Sequence, residues 1–306
     1  MSLNVVFMGT PEFAVPTLDI LIKNKVNIVK VYTQPPQKSK RGQKINPSPI
    51  EQFCKKNEID IHNPVTLNNK NELKYFKNIL ADIVVVVAFG QIIPKDILDV
   101  PKFGFINVHA SLLPKWRGAA PIQRAIMNRD KKIGVSIMKI EEKLDSGPIL
   151  RSKELDLDQN ATHGEIEKNL SNVGAKLLIE SLQTIENQSP KFTKQTDQEA
   201  TYAKKINKNE TKINWNQDAK KILAHIHGLS PSPGAWFEYQ KERFKILKAK
   251  IYSANGKFGY VLDTNLTIGC KKDSIQILEI QRQGKNKQTT KEFLLGKKIT
   301  EGSILI

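Results

Sequence analysis

Ile83-Val84-Val85-Val86-Val87 offers no polar residue to alternate with its apolar ones, which is what a strand covered on both faces requires. A strand of that kind belongs at the centre of a sheet. Outward from it, Val5–Phe7, Ile28–Tyr32 and Phe105–Val108 are further short apolar runs, alternating with longer helix-like segments such as Pro16–Lys25 and Pro121–Met127. The alternation reads as an α/β fold with a mainly parallel, Rossmann-like sheet. A long helical pattern from Thr162 to Ile185 closes this part; Thr162 is its N-cap and Glu165, three residues on, completes a capping box.

The polar stretch Glu186–Ala200 reads as linker. After Trp215 the pattern changes to shorter strand-like pieces, Ala235–Tyr239, Phe244–Ile251, Gly259–Leu262 and Ser274–Ile280, which suit a small β-barrel. A chain of 306 residues has room for two domains, because single cores usually stop growing near roughly 250 residues. The expected division is 1–189, a linker at 190–206, and 207–306.

The formal charge of +17 is uneven: residues 207–306 hold 18 Lys+Arg against 9 Asp+Glu, while residues 1–206 hold 30 against 22. A basic final third favours a polyanionic partner, although a lysine-rich surface is also an ordinary solvated face. Cys54 and Cys270 are too far apart for a metal-ligand pattern and too few for a disulfide framework, which fits a reducing cytoplasm. No stretch is long and apolar enough for a signal segment or membrane span.

A parallel sheet that opens Val5-Val6-Phe7-Met8-Gly9-Thr10 invites comparison with dinucleotide binders. The first turn has Gly9 alone instead of three glycines, and the second strand ends at Tyr32-Thr33 where a ribose-binding carboxylate would stand. Both absences argue against a nicotinamide cofactor.

In Phe105-Ile106-Asn107-Val108-His109, strand alternation puts Asn107 and His109 on one face at a strand end. Ligands of parallel α/β sheets bind at such ends. By itself the pair could equally be a structural hydrogen-bonding couple. The run that follows, His109-Ala110-Ser111-Leu112-Leu113-Pro114-Lys115-Trp116-Arg117-Gly118-Ala119-Ala120-Pro121-Ile122-Gln123, resembles the signature of the folate-dependent formyltransferases. The resemblance extends in order through Phe7–Ala14, Pro47–Pro49, Val87–Gly90, Leu144–Gly147 and Thr201–Ile206.

That resemblance implies a formyl transfer from 10-formyltetrahydrofolate, with Asn107, His109 and Asp145 as the catalytic residues. The usual motif has Thr where this chain has Ser146. An amine attacking the formyl carbon generates an oxyanion, which the Asn107 amide and the His109 ring could stabilise; Asp145 and His109 could move protons. No metal is required. The implied folate pocket uses Ser111, Leu112, Leu113 and Pro114 together with Val87, Phe89, Gly90 and Ile92. Within the family, the closest likeness is to enzymes that act on methionyl initiator tRNA. It assigns the basic insertion between Gln34 and Pro49 to the acceptor, with Arg41 as its key residue and Lys38, Lys40 and Lys44 as phosphate contacts. It also makes residues 207–306 an OB-like domain whose Lys245, Lys248 and Lys250 could face tRNA. The enzyme is expected to be a cytoplasmic monomer.

Three rivals share part of this pattern. Formylation of an amino sugar on a sugar nucleotide uses the same Asn, His and Asp; the Trp116–Ile122 stretch, the Arg41 loop and the basic final domain favour tRNA. A hydrolase built from Ser111, His109 and Asp145 lacks a G-x-S-x-G elbow. A catalytically silent RNA binder would have no need of all three catalytic residue types.

Overall fold

The structure, a computed structural model, describes residues 2–39 and 44–306, excluding the side chains of residues 37–39, 44 and 45. Contacts group the chain into two units. The first runs to Gly118 and resumes over Gly134–Leu155 and Lys168–Tyr202; the second takes Ala119–Ile133, Asp156–Glu167 and Ala203–Ile306.

In chain order the first part supplies β1 (Asn4–Gly9), α1 (Val15–Lys23), β2 (Asn27–Tyr32), β3 (Gln37–Ser39), β4 (Lys44–Asn46), α2 (Pro49–Lys56), β5 (Ile61–His62) and α3 (Lys70–Asn78). There follow β6 (Ile83–Val87), α4 (Lys95–Leu98), β7 (Phe105–His109), the short β8 (Arg117–Gly118), α5 (Pro121–Met127), β9 (Lys132–Lys139), β10 (Ile149–Asp156) and α6 (His163–Glu186). Seven strands form one sheet in the order β10-β9-β7-β6-β1-β2-β5. From β5 to β7 neighbouring strands are parallel, and β9 pairs antiparallel to β7. β6 is the fourth of the seven, and each of its residues is buried.

Val84 and Val86 turn to a core that also holds Val6, Met8, Tyr32, Phe76, Phe89 and Phe105, with Phe76 stacked on Phe105 at 5.9 Å. Full burial of side chains this size stabilises the fold by about 1.5–3 kcal/mol each. The chain leaves β1 toward β2 on one side, while β6 continues to β7 on the other, so the switch point of the sheet lies between β1 and β6. Open α/β sheets bind ligands at the carboxyl ends of strands beside such a point. Register sets Gly9 opposite Val87 and Asn107 opposite Val86, bringing the ends of β1, β6 and β7 to one level.

The capping box read from the sequence is present at the start of α6. The Glu165 carboxylate accepts from Thr162 N at 2.8 Å, and Glu165 N donates to the Thr162 hydroxyl at 3.4 Å. The edge strand β10 was not legible because its middle residues are exposed and polar. β9 carries no polar alternation over its buried centre.

The chain continues through β11 (Tyr202–Ala203), α7 (Ala219–Leu229), β12 (Ala235–Tyr239), β13 (Glu242–Tyr252), β14 (Thr267–Gly269), β15 (Ser274–Arg282), β16 (Lys287–Thr289) and α8 (Thr290–Gly296). β12 to β16 make a curled antiparallel sheet ordered β12-β13-β15-β14, with β16 also on β15. Its core gathers Trp215, Phe237, Phe244 and Phe293. α5 belongs to this second unit, where it packs closely on α7: a Cβ at Gly228 would lie 2.7 Å from Met127 Cγ. The strand expected over Gly259–Leu262 is instead a pair of single bridges, Tyr260 with Ile304 and Val261 with Ile268. Gly259 has φ +81°, a turn conformation that interrupts a ladder at this point.

Candidate active site

β7 delivers Asn107 half-buried and His109 buried, both at the level of the sheet where β1 and β6 end. The Asn107 side-chain amide has no hydrogen-bond partner among the described residues. His109 is held at both ring nitrogens. Nε2 lies 3.1 Å from the Trp116 carbonyl, which can only accept, so Nε2 bears the hydrogen. Nδ1 faces Asp145 Oδ2 at 3.8 Å, long for a hydrogen bond, and the two attract only when the ring carries both protons.

Asp145 occupies the turn between β9 and β10, with φ +47°, a left-handed conformation that Asp tolerates better than most residues. Its Oδ2 accepts from Gly118 N at 2.8 Å. The structure therefore brings Asp145 to His109 from a distant part of the sequence. Ser146 donates to the Lys143 carbonyl at 3.0 Å, a bond that the family's usual threonine hydroxyl can make as well.

Ser111 is 2% exposed and its hydroxyl donates to Lys115 O at 2.6 Å. That bond secures the loop, and it commits the hydroxyl away from the nucleophilic role a hydrolase would need. Leu113 is buried, its N–H bound to the Ser136 hydroxyl at 3.2 Å, and the Leu113–Pro114 peptide is cis. Leu112 packs onto Gly134, where a Cβ would meet its Cδ2 at 2.4 Å.

The strand end after β6 divides by role. Val87 and Phe89 have buried side chains, whereas Ile92 is 92% exposed. The Phe89 carbonyl already accepts from Thr10 Oγ1 at 2.8 Å and Gln34 Nε2 at 3.0 Å. Gly90 has φ +84°, a backbone on which any side chain would be strained, and a Cβ there would lie 2.3 Å from Gln34 Nε2.

Among the basic residues singled out above, Lys38 and Lys44 fall on the paired strands β3 and β4. Lys40 and Arg41 lie outside the described residues. Lys245 sits half-buried on β13 with its stem against Gly234. Lys248 is bound to Glu165 at 2.9 Å, and that hydrogen bond holds the ammonium above its ordinary pKa. In the other direction, the Thr162 backbone N–H, followed by Lys248, pulls the Glu165 carboxyl down to about 2. Lys250 is exposed.

Sequence reasoning passed over two features. Trp236 carries the Arg243 guanidinium 4.2 Å from its ring centroid, with Lys212 at 5.5 Å, a cation–π cluster split across distant positions. Arg117, read as part of an acceptor-selecting stretch, is 2% exposed and turned inward. It donates from Nε to Gln195 Oε1 at 3.0 Å and from Nη1 to Asp197 Oδ1 at 2.8 Å, and the latter bond holds the Asp197 carboxyl below its usual range. Gln195 gave no signal, because it stands in a stretch whose composition reads as linker.

The chain belongs to the formyl transferase family: the family described as formyl transferase matches residues 3–182, and its C-terminal domain matches residues 205–298. Among relatives, the methionyl-tRNA formyltransferase of Pelagibacter ubique (strain HTCC1062) is 50% identical over 305 residues, covering 99% of this chain and 98% of that protein. The fold also matches HypX from Aquifex aeolicus in complex with tetrahydrofolic acid, with a TM-score of 0.70 and 16% identity; the match covers 99% of this chain and 49% of HypX, so this chain spans about half its length. An N-formyltransferase from Helicobacter canadensis, in complex with folinic acid and dTDP-3-aminofucose, has a TM-score of 0.67 and 20% identity, covering 92% of this chain and 99% of its own.

Proposed function

We propose that this enzyme transfers a formyl group from 10-formyltetrahydrofolate to the α-amino group of methionyl initiator tRNA. The observation that carries the reading is the 50% identity to a methionyl-tRNA formyltransferase along nearly the whole of both chains. The sugar-directed enzyme, at 20% identity, shares the fold alone.

Asn107, His109 and Asp145 are the catalytic residues in this reading. The amine nitrogen forms a bond to the formyl carbon, the bond from that carbon to the folate nitrogen breaks, and the folate nitrogen regains a proton. The Asn107 side-chain amide, without a partner among the described residues, can donate to the oxygen as it gains charge. A donor so placed contributes about 3–4 kcal/mol in comparable oxyanion sites. Asp145 has an oxygen without a partner among the described residues and can accept the proton shed by the attacking amine, with His109 beside it.

Ser111, Leu112, Leu113, Pro114, Val87, Phe89, Gly90 and Ile92 border the folate site. The support is their position at strand ends beside the switch point of the sheet. Residues 1–189 form the catalytic domain, 190–206 the linker and 207–306 an OB-like domain that holds tRNA. Arg41 with Lys38, Lys40 and Lys44, and Lys245 with Lys248 in the second domain, contact the acceptor. The enzyme works as a cytoplasmic monomer; among the described residues no helix is long and apolar enough to cross a membrane.

The test is to incubate the protein with 10-formyltetrahydrofolate and either methionyl initiator tRNA or a 4-amino-sugar nucleotide, and to measure formyl incorporation. Formyl-methionyl-tRNA is the expected product. Incorporation into the sugar alone would overturn the assignment.

A further inference from the structure

The turn that carries Asp145 is pinned from two sides. On one side, Gly147 backbone lies so close to β9 that a Cβ would sit 1.9 Å from the Lys139 carbonyl, and Lys139 N donates to Pro148 O at 2.9 Å. On the other, the Asp145 and Gly147 carbonyls converge on one donor: Gln195 Nε2 reaches them at 2.9 and 2.7 Å. Both hydrogens of that amide are thereby used. Its Oε1 accepts from Arg117 Nε at 3.0 Å. Carbonyls only accept and a guanidinium only donates, so the orientation of the Gln195 amide is forced.

A closed ring results. Gly118 N holds the Asp145 carboxylate, Arg117 is the residue before it, Arg117 holds Gln195, and Gln195 holds the backbone of Asp145. The same short segment also registers His109, through the Trp116 carbonyl, and is itself anchored where Trp116 N donates to Thr201 Oγ1 at 2.9 Å. The ring has its own strain to contain, since Asp145 adopts a left-handed backbone that a free turn would relax. It also explains why a cation is buried at 117 when, among the described residues, Asp197 is the only carboxylate bonded to it.

We propose that Gln195, locked by Arg117, is a positioning residue that aims the Asp145 carboxylate at His109. It touches no substrate; it acts by fixing the backbone from which Asp145 projects. The proposal rests on the catalytic role given to Asp145.

Gln195→Glu is the informative variant. It keeps the size of the side chain and the bond to Arg117, but opposes two carbonyls with an oxygen instead of a donor. Formyl transfer by the full-length enzyme should fall about a hundredfold in kcat, the loss typical of a catalytic group displaced by about 1 Å. KM for 10-formyltetrahydrofolate and methionyl-tRNA should change less than threefold. In an Asp145→Asn background, the same substitution should have no further effect on kcat, because its effect runs through Asp145. Gln195→Met, isosteric and unable to donate, repeats the measurement if the glutamate variant does not fold. Unchanged kcat in the single variant, or an equal fractional loss in both backgrounds, would overturn the proposal. Full activity of Asp145→Asn would instead overturn the catalytic assignment beneath it.

Discussion

Glu165 and Asp145 each brace a turn, yet their surroundings differ in kind. Glu165 accepts from the Thr162 N–H and hydroxyl on one oxygen and from Lys248 on the other. Asp145 accepts a single N–H, from Gly118, keeps one oxygen without a partner among the described residues, and stands 3.8 Å from an imidazole. Exposure runs opposite to a simple expectation: the acid with both oxygens bonded is 52% exposed at its side chain and the one with an open oxygen 16%. A carboxylate with both oxygens bound to permanent neighbours is fixed as a structural anion. One held by its backbone, with a lone pair open inside a sheltered site, is equipped to receive a proton.

Exchanging acid for amide at both places breaks this comparison if it is wrong. Asp145→Asn should lower kcat for formyl transfer by about 10²–10⁴, the range for general acid–base groups. Glu165→Gln should leave kcat near that of the parent, and a comparable loss from both variants would erase the distinction. Asn107→Ala should come next, with about 10²–10³ lost from kcat and little change in tRNA affinity; normal turnover would remove its oxyanion role.

Glu165→Gln should show itself in stability, by about 0.3–1 kcal/mol for the negative charge lost at a helix N-terminus, read from a urea or thermal melt. The folded pKa of Glu165 lies near 2, below the ordinary 4.5. Its stabilisation is therefore complete above the unfolded value and is lost as pH falls from about 5 toward 2. Because the side chain is half exposed, solvent screening reduces that contribution well below the full pKa difference. The parent should thus lose more stability than Glu165→Gln across that acid range, and parallel curves would contradict the assignment. The smallest effect separates two lysines. Lys250→Ala should reduce the salt slope of tRNA binding by up to about 1, and Lys248→Ala by less, since its charge is already matched by Glu165.

The sequence disclosed those parts of the molecule whose causes are local. Ile83–Val87 announces a central strand because both faces must be apolar, and Thr162 with Glu165 announces a helix start because a capping box closes within four residues. Asn107 and His109 share a face by strand period alone. Asp145 was reachable only through family resemblance, because its approach to His109 depends on where β9 and β10 join the sheet. Gln195 was illegible in principle. Its two carbonyl acceptors lie 50 and 48 residues away, and nothing in its polar neighbourhood marks it. Arg117 misled for a related reason: a cation beside Gly and Trp resembles a surface contact until its burial is known.

The contact between Gly147 and the Lys139 carbonyl also bears on how this enzyme can change. With no room for a side chain at 147 and a left-handed backbone at 145, the turn can vary only at its outward positions, Leu144, which is 65% exposed, and Ser146. A selection from random codons across 144–147 would return diverse residues at 144, small hydroxyl residues at 146, and the parental pair elsewhere. The turn is frozen on its inner side and evolvable on its outer one.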